Sequence, residues 1–193
     1  MKIFWIDTET TGLDSNNDKI IQLACIFEDT EKELIIKKDW YIKHNNYPES
    51  FADAEKIHGI TRDFLNESGK SKSEVYRELL LLLDNNIEKF NKKDKAILAG
   101  YNVEFDKGFL YKLFLSNNNS FFHSYFHSAK LEVMSHFIYL YYDSNDNLND
   151  IENFKLETLC NQFRIKFNSH NAMADIQATR ELFLSITDAL YNN

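Results

Sequence analysis

The sequence predicts an α/β fold, a mixed β-sheet flanked by α-helices, and three observations support it. Three segments rich in β-branched and aromatic residues open the chain, and the short polar turns between them suit an antiparallel arrangement. Helical patterns then alternate with a short apolar segment, as in sheets that carry helices on their faces. The 193 residues, 44% of them hydrophobic, are enough for one core. We therefore predict a single domain over residues 1–193.

The predicted strands follow from residue type and alternation. The first three are expected at residues 2–7, 19–27 and 33–43, where they form an antiparallel meander. Residues 96–100 (AILAG) are short and apolar, which is typical of a buried strand. Residues 121–126 are predicted to form the last strand.

The predicted helices follow from apolar residues at helical spacing and from capping residues. Pro48 opens a short helix through residue 57, which the segment HGIT follows, and Asn102 caps a helix that ends near residue 115. The other helices are expected at residues 73–90, 131–142, 155–163 and 172–191. The polar segments at residues 117–120 and 143–153 are predicted loops.

Composition excludes several classes of protein. The net charge of -8 argues against an indiscriminate electrostatic grip on nucleic acid or on membranes. The two cysteines form no CxxC pair, which fits a reducing compartment. No apolar run reaches the roughly 18 residues of a membrane span, and the N-terminus is too acidic for a signal peptide. We therefore expect a cytoplasmic protein with no membrane partner.

Asp7 and Glu9 lie two residues apart at the end of the first predicted strand, so both project to the same side of it. Like charges this close raise a pKa or require a cation between them. Taken alone, such a pair is also typical of a solvated strand end. The TTGL turn that follows favours a shaped site.

Asp106 and Asp175 each lie on the apolar face of a predicted helix. An unpaired carboxylate on such a face is costly to bury, although the helix dipole could instead stabilise Asp106 in a first turn. Two such acids, together with Asp7 and Glu9, are best explained by a shared cation. Oxygen ligands from separate elements favour Mg²⁺ or Mn²⁺.

His170 lies five residues before Asp175. Five residues turn a helix through about 500°, so these two side chains could not share one helix face. We therefore place His170 in the loop that precedes the helix, free to fold over the acids. A lone loop histidine is ordinarily a surface residue, but the context of Asp175 favours a functional one.

Three motifs in order resemble the DEDD superfamily of 3'-5' exonucleases, in its DnaQ-like branch, which includes the epsilon subunit of DNA polymerase III. They are WIDTETTGLD, GYNVEFDKGFL and HNAMADIQATRELF. The segments AEKIHGIT and KLETLCNQFRI are similar to stretches that the family has between these motifs. The resemblance spans nearly the whole chain and implies a ribonuclease H-like fold.

The resemblance also implies a catalytic site. Asp7, Glu9, Asp106 and Asp175 would hold two divalent ions, Mg²⁺ or Mn²⁺, and His170 would act as the general base. The tyrosine variant of the family would require Tyr at position 171, where this chain has Asn, so the histidine subtype (DEDDh) is predicted.

The terminal nucleotide of the substrate is expected at a second set of residues. The resemblance implies that these are Thr10, Gly12, Leu13, His58 and Asn102. Two positions depart from the family pattern: Tyr101 stands where His is common, and residues 121–132 lack the Asp-Thr pair often seen there. Both departures bear on substrate preference and leave the catalytic residues unchanged.

The expected activity is release of nucleoside monophosphates from the 3' end of single-stranded DNA by two-metal-ion hydrolysis. The alternative is a 3'-5' exoribonuclease similar to an oligoribonuclease. The metal site serves DNA and RNA alike, and discrimination between them lies in contacts to the 2'-hydroxyl. A third hypothesis, a catalytically inactive nucleic-acid-binding module, is disfavoured because all five catalytic residues are present. A polymerase partner is not evident from the sequence, so a free-standing enzyme is expected.

Overall fold

The N-terminal part of the fold is an antiparallel meander, seen in a computed structural model that describes residues 1–144 and 151–191. Its strands are β1 (Lys2–Thr10), β2 (Ile20–Asp29) and β3 (Leu34–Lys43). Both pairings, β1 with β2 and β2 with β3, are antiparallel, which confirms the predicted arrangement. Strand β1 continues three residues past its predicted end and therefore includes Glu9.

Three further strands complete a mixed sheet. Strand β5 (Ala96–Gly100) pairs in parallel with β1, and β6 (Phe126–Glu132) pairs in parallel with β5. The short β4 (Lys70–Ser71) extends the other edge beside β3. The order is β4-β3-β2-β1-β5-β6, so β1 is an inner strand with a partner on each side. The predicted fold class is confirmed.

Helices cover both faces of this sheet. They are α1 (Phe51–His58), α2 (Arg62–Ser68), α3 (Lys72–Asn86), α4 (Val103–Leu115), α5 (Phe122–Tyr125), α6 (Val133–Ser144), α7 (Leu156–Gln162) and α8 (Ala172–Tyr191). Residues of α3 and α4 pack in one core cluster with Phe4 and Ile6 of β1. Residues of α6, α7 and α8 pack in a second cluster with Ile3 and Trp5. Alternation along β1 therefore assigns its odd positions to the α8 face and its even positions to the α4 face.

The predicted strand at residues 121–126 is wrong. Phe122 to Tyr125 form the short helix α5, and the strand begins only at Phe126. Phe122 and Tyr125 lie three apart, so one helical turn places both rings near Phe114, with centroid distances of 5.3 and 6.0 Å. The aromatic residues that suggested a strand are thus buried by a helical turn.

Other differences concern the borders and two short elements. Helix α2 and strand β4 were not predicted, and α3 ends at Asn86 rather than at residue 90. Helix α6 begins two residues later than expected. Of the predicted loop at 143–153, residues 143–144 belong to α6 and residues 145–150 lie outside the described residues.

Candidate active site

Asp7 and Glu9 project from the C-terminal end of β1 on the face that α8 covers, and both are half-buried. Carboxylate oxygens of these two residues and of Asp175 all lie within 4.8 Å of one another. The predicted juxtaposition of these three acids is therefore present in the structure. It joins two side chains of one strand with a third that is distant in sequence.

The start of α8 places Asp175. Asn171 caps this helix, because its Oδ1 accepts a hydrogen bond from the Ala174 N–H at 3.1 Å. The Ala172 N–H donates to Oε1 of Gln22 at 3.2 Å, and Gln22 is fully buried in β2. The helix start is thus fixed to the sheet by a side chain from the strand beside β1.

One oxygen of Asp175 is free for a ligand. Its Oδ2 accepts a hydrogen bond from the backbone N–H of His170 at 3.1 Å. Its Oδ1 is buried and has no hydrogen-bond partner among the described residues. A buried acceptor without a donor is costly.

Asp106 approaches the site from the opposite face of the sheet. It lies in the first turn of α4 and is 3% exposed. Its Oδ1 accepts a hydrogen bond from the Thr8 hydroxyl at 2.7 Å. Thr8 is an even position of β1, so it points toward α4 and not toward Asp7 and Glu9. Asp106 is outside the group of three acids within 4.8 Å.

The N-terminus of α4 is capped differently from the prediction. Asn102 occupies the cap position, but its backbone is left-handed (φ 57°) and its side chain makes no capping hydrogen bond. The carboxylate of Glu132, at the end of β6, accepts instead from the N–H groups of Asn102 and Val103, at 2.8 and 2.9 Å. Glu132 therefore anchors the helix that carries Asp106.

His170 lies in the loop before α8, as predicted, with its side chain exposed and its backbone left-handed (φ 65°). Burial raises the pKa of Asp175, whereas the hydrogen bond from the His170 backbone and the charge of His170 oppose this rise. His58 lies at the end of α1, where the left-handed Gly59 (φ 70°) terminates the helix. The Ile60 N–H donates to Nδ1 of His58 at 3.0 Å and fixes the ring.

The two histidines line one cavity of about 480 Å³. Aromatic residues Tyr41 and Phe64 form part of its wall, with ring centroids 4.8 Å apart. Burial lowers the pKa of His58, and the nearby His170 lowers it further. The HGIT segment and the loop before α8 therefore meet around a space with aromatic walls.

The turn after β1 holds the three other predicted substrate residues. The Thr10 hydroxyl donates to the Gly12 carbonyl at 2.6 Å. A Cβ at Gly12 would stand 2.5 Å from the Asp18 carboxylate, so only glycine fits here without displacing Asp18. Leu13 is 87% exposed, an unusual position for a large apolar side chain.

Burial and mutual repulsion raise the pKa values of the acidic cluster. Burial, followed by the charges of Asp106, Asp175 and Glu9, raises the pKa of Asp7 well above its ordinary value. Burial is also the main cause that raises the pKa of Glu9 to about 7, of Asp106 to about 7 and of Asp175 to about 6. Thr8 opposes the shift at Asp106.

These acids fit a divalent cation. Oxygen donors converge from β1 and α8, and Oδ1 of Asp175 has no hydrogen-bond partner among the described residues, so it is available to a ligand. A cation would also relieve the repulsion from neighbouring acids that contributes to the raised pKa values of Asp7 and Glu9. The donor set, carboxylates alone, favours Mg²⁺ or Mn²⁺ over softer metals.

The fold and the site together are those of a nuclease of the ribonuclease H-like class. E. coli exonuclease I, in its zinc-bound complex with single-stranded DNA, superimposes with a TM-score of 0.78 at 22% identity, over 100% of this chain and 41% of that one. The exonuclease family RNase T matches residues 4–183. The chain belongs to this exonuclease family, and the predicted resemblance to DnaQ-like 3'-5' exonucleases is confirmed.

Curated relatives include both DNA and RNA enzymes. The PolC-type DNA polymerase III of Caldanaerobacter subterraneus is 27% identical over 95% of this chain but 11% of its own length. The epsilon subunit of DNA polymerase III of Buchnera aphidicola is 36% identical over 56% of this chain and 43% of its own. The oligoribonuclease of Haemophilus ducreyi is 28% identical over 93% of this chain and 88% of its own. This chain thus spans less than half of either polymerase protein.

Three residues that support the site were missed from sequence. Gln22 carries a visible signal, since it interrupts the apolar run KIIQLACIF. Thr8 lies between two predicted ligands, but its partner Asp106 is 98 residues away. Glu132 had no local signal, because its partners lie on another element.

None of the helices within residues 1–144 and 151–191 combines the length and apolar character that a membrane crossing needs.

Proposed function

We propose that the chain, as one catalytic domain over residues 1–193, is a cytoplasmic 3'-5' exonuclease that releases nucleoside monophosphates from single-stranded DNA with the aid of two divalent ions. The convergence of Asp7, Glu9 and Asp175 within 4.8 Å carries this proposal. The two cysteines, both buried and free, fit a reducing compartment.

The proximity of Asp7, Glu9 and Asp175 supports one ion, and the family resemblance suggests a second. Asp7, Glu9 and Asp175 would bind one ion, and Asp7 with Asp106 would bind the second. Divalent ions bound there would acidify the attacking water and stabilise the charge on the departing 3'-oxygen. Every other task in the reaction falls to side chains of the protein.

His170 is the proposed general base. It lies next to Asp175 and is exposed, so it can reach a water molecule at the edge of the acidic cluster. A histidine suits this task because its ordinary pKa is close to neutral pH. The bond between its backbone and Asp175 fixes the base relative to one of the proposed ligands.

The proposed contacts of the terminal nucleotide are Thr10, Gly12, Leu13, His58 and Asn102. The exposed Leu13 offers an apolar surface on which a base can rest. His58, in the cavity of about 480 Å³ with aromatic walls, offers a second one. Gly12 lets the turn pack against the Asp18 carboxylate, which holds the backbone of residues 10–13 in place for such a contact.

Two relatives that are DNA polymerase proteins favour DNA as substrate. The second candidate substrate is short RNA, and it has specific support from the oligoribonuclease of Haemophilus ducreyi, which this chain matches over 88% of that enzyme's length. Thr10, His58 and Asn102 of the proposed substrate contacts carry polar groups that could contact a 2'-hydroxyl, so both substrates belong in the first experiment.

The experiment compares end-labelled single-stranded DNA with RNA of the same sequence, in Mg²⁺, in Mn²⁺ and in EDTA, beside an Asp7→Ala control. We expect metal-dependent shortening from the 3' end that the variant lacks, and the faster substrate assigns the preference. Cleavage that persists in EDTA or in the variant contradicts the proposed site. A folded protein that binds Mg²⁺ but cleaves neither substrate contradicts the proposed activity.

A further inference from the structure

A second cavity lies on the α4 face of the sheet, away from the side to which Asp7 and Glu9 project. It has a volume of about 510 Å³ and lies between the loop after β1, the end of β3 and the helices α3 and α4. Three lysines, Lys19, Lys72 and Lys112, contribute to its wall, and we call it the lysine pocket. Its apolar floor contains Ile20, Ile42, Phe109 and Leu113, each at most 6% exposed, and Leu115, which is 39% exposed and supplies the accessible apolar surface.

The lysines of this pocket outnumber the acids around them. Hydrogen bonds from Asn16 and, less strongly, the charge of Lys112 lower the pKa of the exposed Asp14, so Lys112 has one acid nearby. All three are half-buried, and none forms an ion pair with a described residue. Lys19 donates to the Asn46 carbonyl, which holds its amine without neutralising it. Three unpaired cations in one cavity are notable in a protein with a net charge of -8.

Lys72 is placed against the local electrostatics. It is the first residue of α3, where the helix dipole favours acids and disfavours cations. A glutamine would suit this position at least as well for stability. A cation retained there, half-buried and unpaired, therefore points to an anionic ligand.

The one acid in the wall is engaged elsewhere. Asp18 accepts hydrogen bonds from the Thr11 hydroxyl at 3.0 Å, from the Asp14 N–H at 3.0 Å and from the Ser50 hydroxyl at 2.6 Å. Its oxygens thus organise the loop after β1. The carboxylate keeps its negative charge, so the wall of the pocket carries three lysine ammonium groups against one carboxylate.

We propose that the lysine pocket binds a nucleotide, with the base against the apolar floor and the phosphate at the lysines. An apolar surface beside unpaired cations is complementary to these two parts of a nucleotide. The ligand is an upstream nucleotide of the strand or a free nucleoside monophosphate, since both present this chemistry. The strand assignment rests on the proposed exonuclease function.

The pocket and the candidate active site share two structural elements. Ile20 of its floor pairs in register with Thr10, the residue after Glu9. On α4, Phe109 lies three residues after Asp106, so the same helix serves both sites. A strand with its 3' end at Asp7 and Glu9 would reach the pocket by crossing the turn at residues 10–13.

Binding is tested with the Lys72→Gln/Lys112→Gln double variant and a matched control, Lys92→Gln/Lys93→Gln, which removes two exposed lysines at residues 92–93. Lys19 is left intact because its hydrogen bond to Asn46 holds the loop. All proteins carry Asp7→Ala, so that cleavage does not interfere. Fluorescence anisotropy then measures the affinity for labelled single-stranded oligonucleotides of two and ten residues, and for a labelled nucleoside monophosphate, across a series of KCl concentrations.

We expect the pocket variant to bind the ten-residue oligonucleotide roughly tenfold more weakly, with a salt slope reduced by about 0.7 for one lost phosphate contact. Affinity for the dinucleotide should be unchanged, since it is too short to span both sites. If the affinity for the monophosphate falls instead, the ligand is the free nucleotide. Equal affinities and equal salt slopes in both double variants would overturn the proposal.

Turnover by the active enzyme separates this proposal from the proposed function. With Asp7 restored, the pocket variant should show a raised KM for the ten-residue substrate, an unchanged kcat and unchanged parameters for the dinucleotide. If wild-type enzyme cleaves no substrate while the binding difference persists, the proposed activity fails and the pocket stands. If cleavage is normal, and both KM and the affinity for the monophosphate are the same in all variants, the pocket proposal fails alone.

Discussion

Thr8 is the residue that determines how Asp106 enters the site. Its hydroxyl is buried and donates to the carboxylate at 2.7 Å, across from the two acids of the same strand. Thr8→Val keeps the shape of the side chain but leaves a buried carboxylate oxygen without its donor. We expect kcat to fall roughly 10–100-fold, as for other residues that orient metal ligands.

The conservative variant Thr8→Ser tests whether this role is positional. It retains the hydroxyl, so kcat and the Mg²⁺ concentration for half-maximal activity should stay close to wild type. Thr8→Val should instead require more Mg²⁺. If the two variants have the same kcat and the same Mg²⁺ requirement, Thr8 does not position Asp106.

His170 can be tested without disturbing its backbone. Asn tolerates the left-handed conformation found at this position, so His170→Asn should keep the N–H bond to Asp175. Loss of the general base should lower kcat by about 10²–10⁴-fold while Mg²⁺ affinity stays the same. The exposed His123, changed to Gln, is the control, and a His170→Asn enzyme with the activity of that control would exclude the role of base.

At the scale of elements, the sequence was informative where a pattern is local. The meander follows from β-branched residues separated by polar turns, and Asp106 and Asp175 were found because each acid lies on an apolar helical face. The strand predicted at residues 121–126 was wrong because aromatic residues favour strands, whereas helix α5 buries the rings of Phe122 and Tyr125. The supporting contacts of Glu132 and Gln22 could not be predicted, because their partners lie 29–30 and 150 residues away.

Glu132 connects the end of strand β6 to the start of helix α4, so its removal should lower the free energy of unfolding. Glu132→Ala leaves the N–H groups of Asn102 and Val103 without their acceptor and removes an anion from the start of α4. We expect the free energy of unfolding to fall by about 1–2 kcal/mol. Urea denaturation should show a lower midpoint with an unchanged slope.

Two variants calibrate this measurement. Glu132→Gln keeps one acceptor oxygen and loses the charge, so its midpoint should lie between those of wild type and Glu132→Ala. Glu67→Ala removes an exposed acid from α2 and should have little effect. A Glu132→Ala midpoint equal to that of Glu67→Ala would mean that solvent replaces the cap without cost.

For the whole molecule, the acidic cluster couples folding to pH and to metal ions. The pKa of Glu9 is raised to about 7 and that of Asp175 to about 6, above the ordinary values of 4.5 and 3.8. The metal-free folded state therefore retains protons that the unfolded state has already lost. The contribution of these acids to the free energy of unfolding therefore decreases as the pH rises from about 4 to 7. Burial lowers the pKa values of His44, His58 and His136, so these residues oppose the trend up to about pH 6.5, and the larger shifts of the acids outweigh them. Glu28, with its pKa lowered by Arg180, changes its contribution only below this window.

Divalent ions should reverse this dependence, because they bind the deprotonated carboxylates of the folded state. Without metal, in EDTA, the melting temperature should fall between pH 5 and pH 8. Mg²⁺ at about 100 times its Kd should raise it at pH 8 by roughly 5–10 °C, and by much less at pH 5 where protons compete. Asp7→Ala, with one ligand removed and less repulsion, should melt higher than wild type in EDTA at pH 8 and respond weakly to Mg²⁺. A Mg²⁺ shift of the same size at both pH values, or in both proteins, would show that the ions stabilise the fold at another place than this cluster.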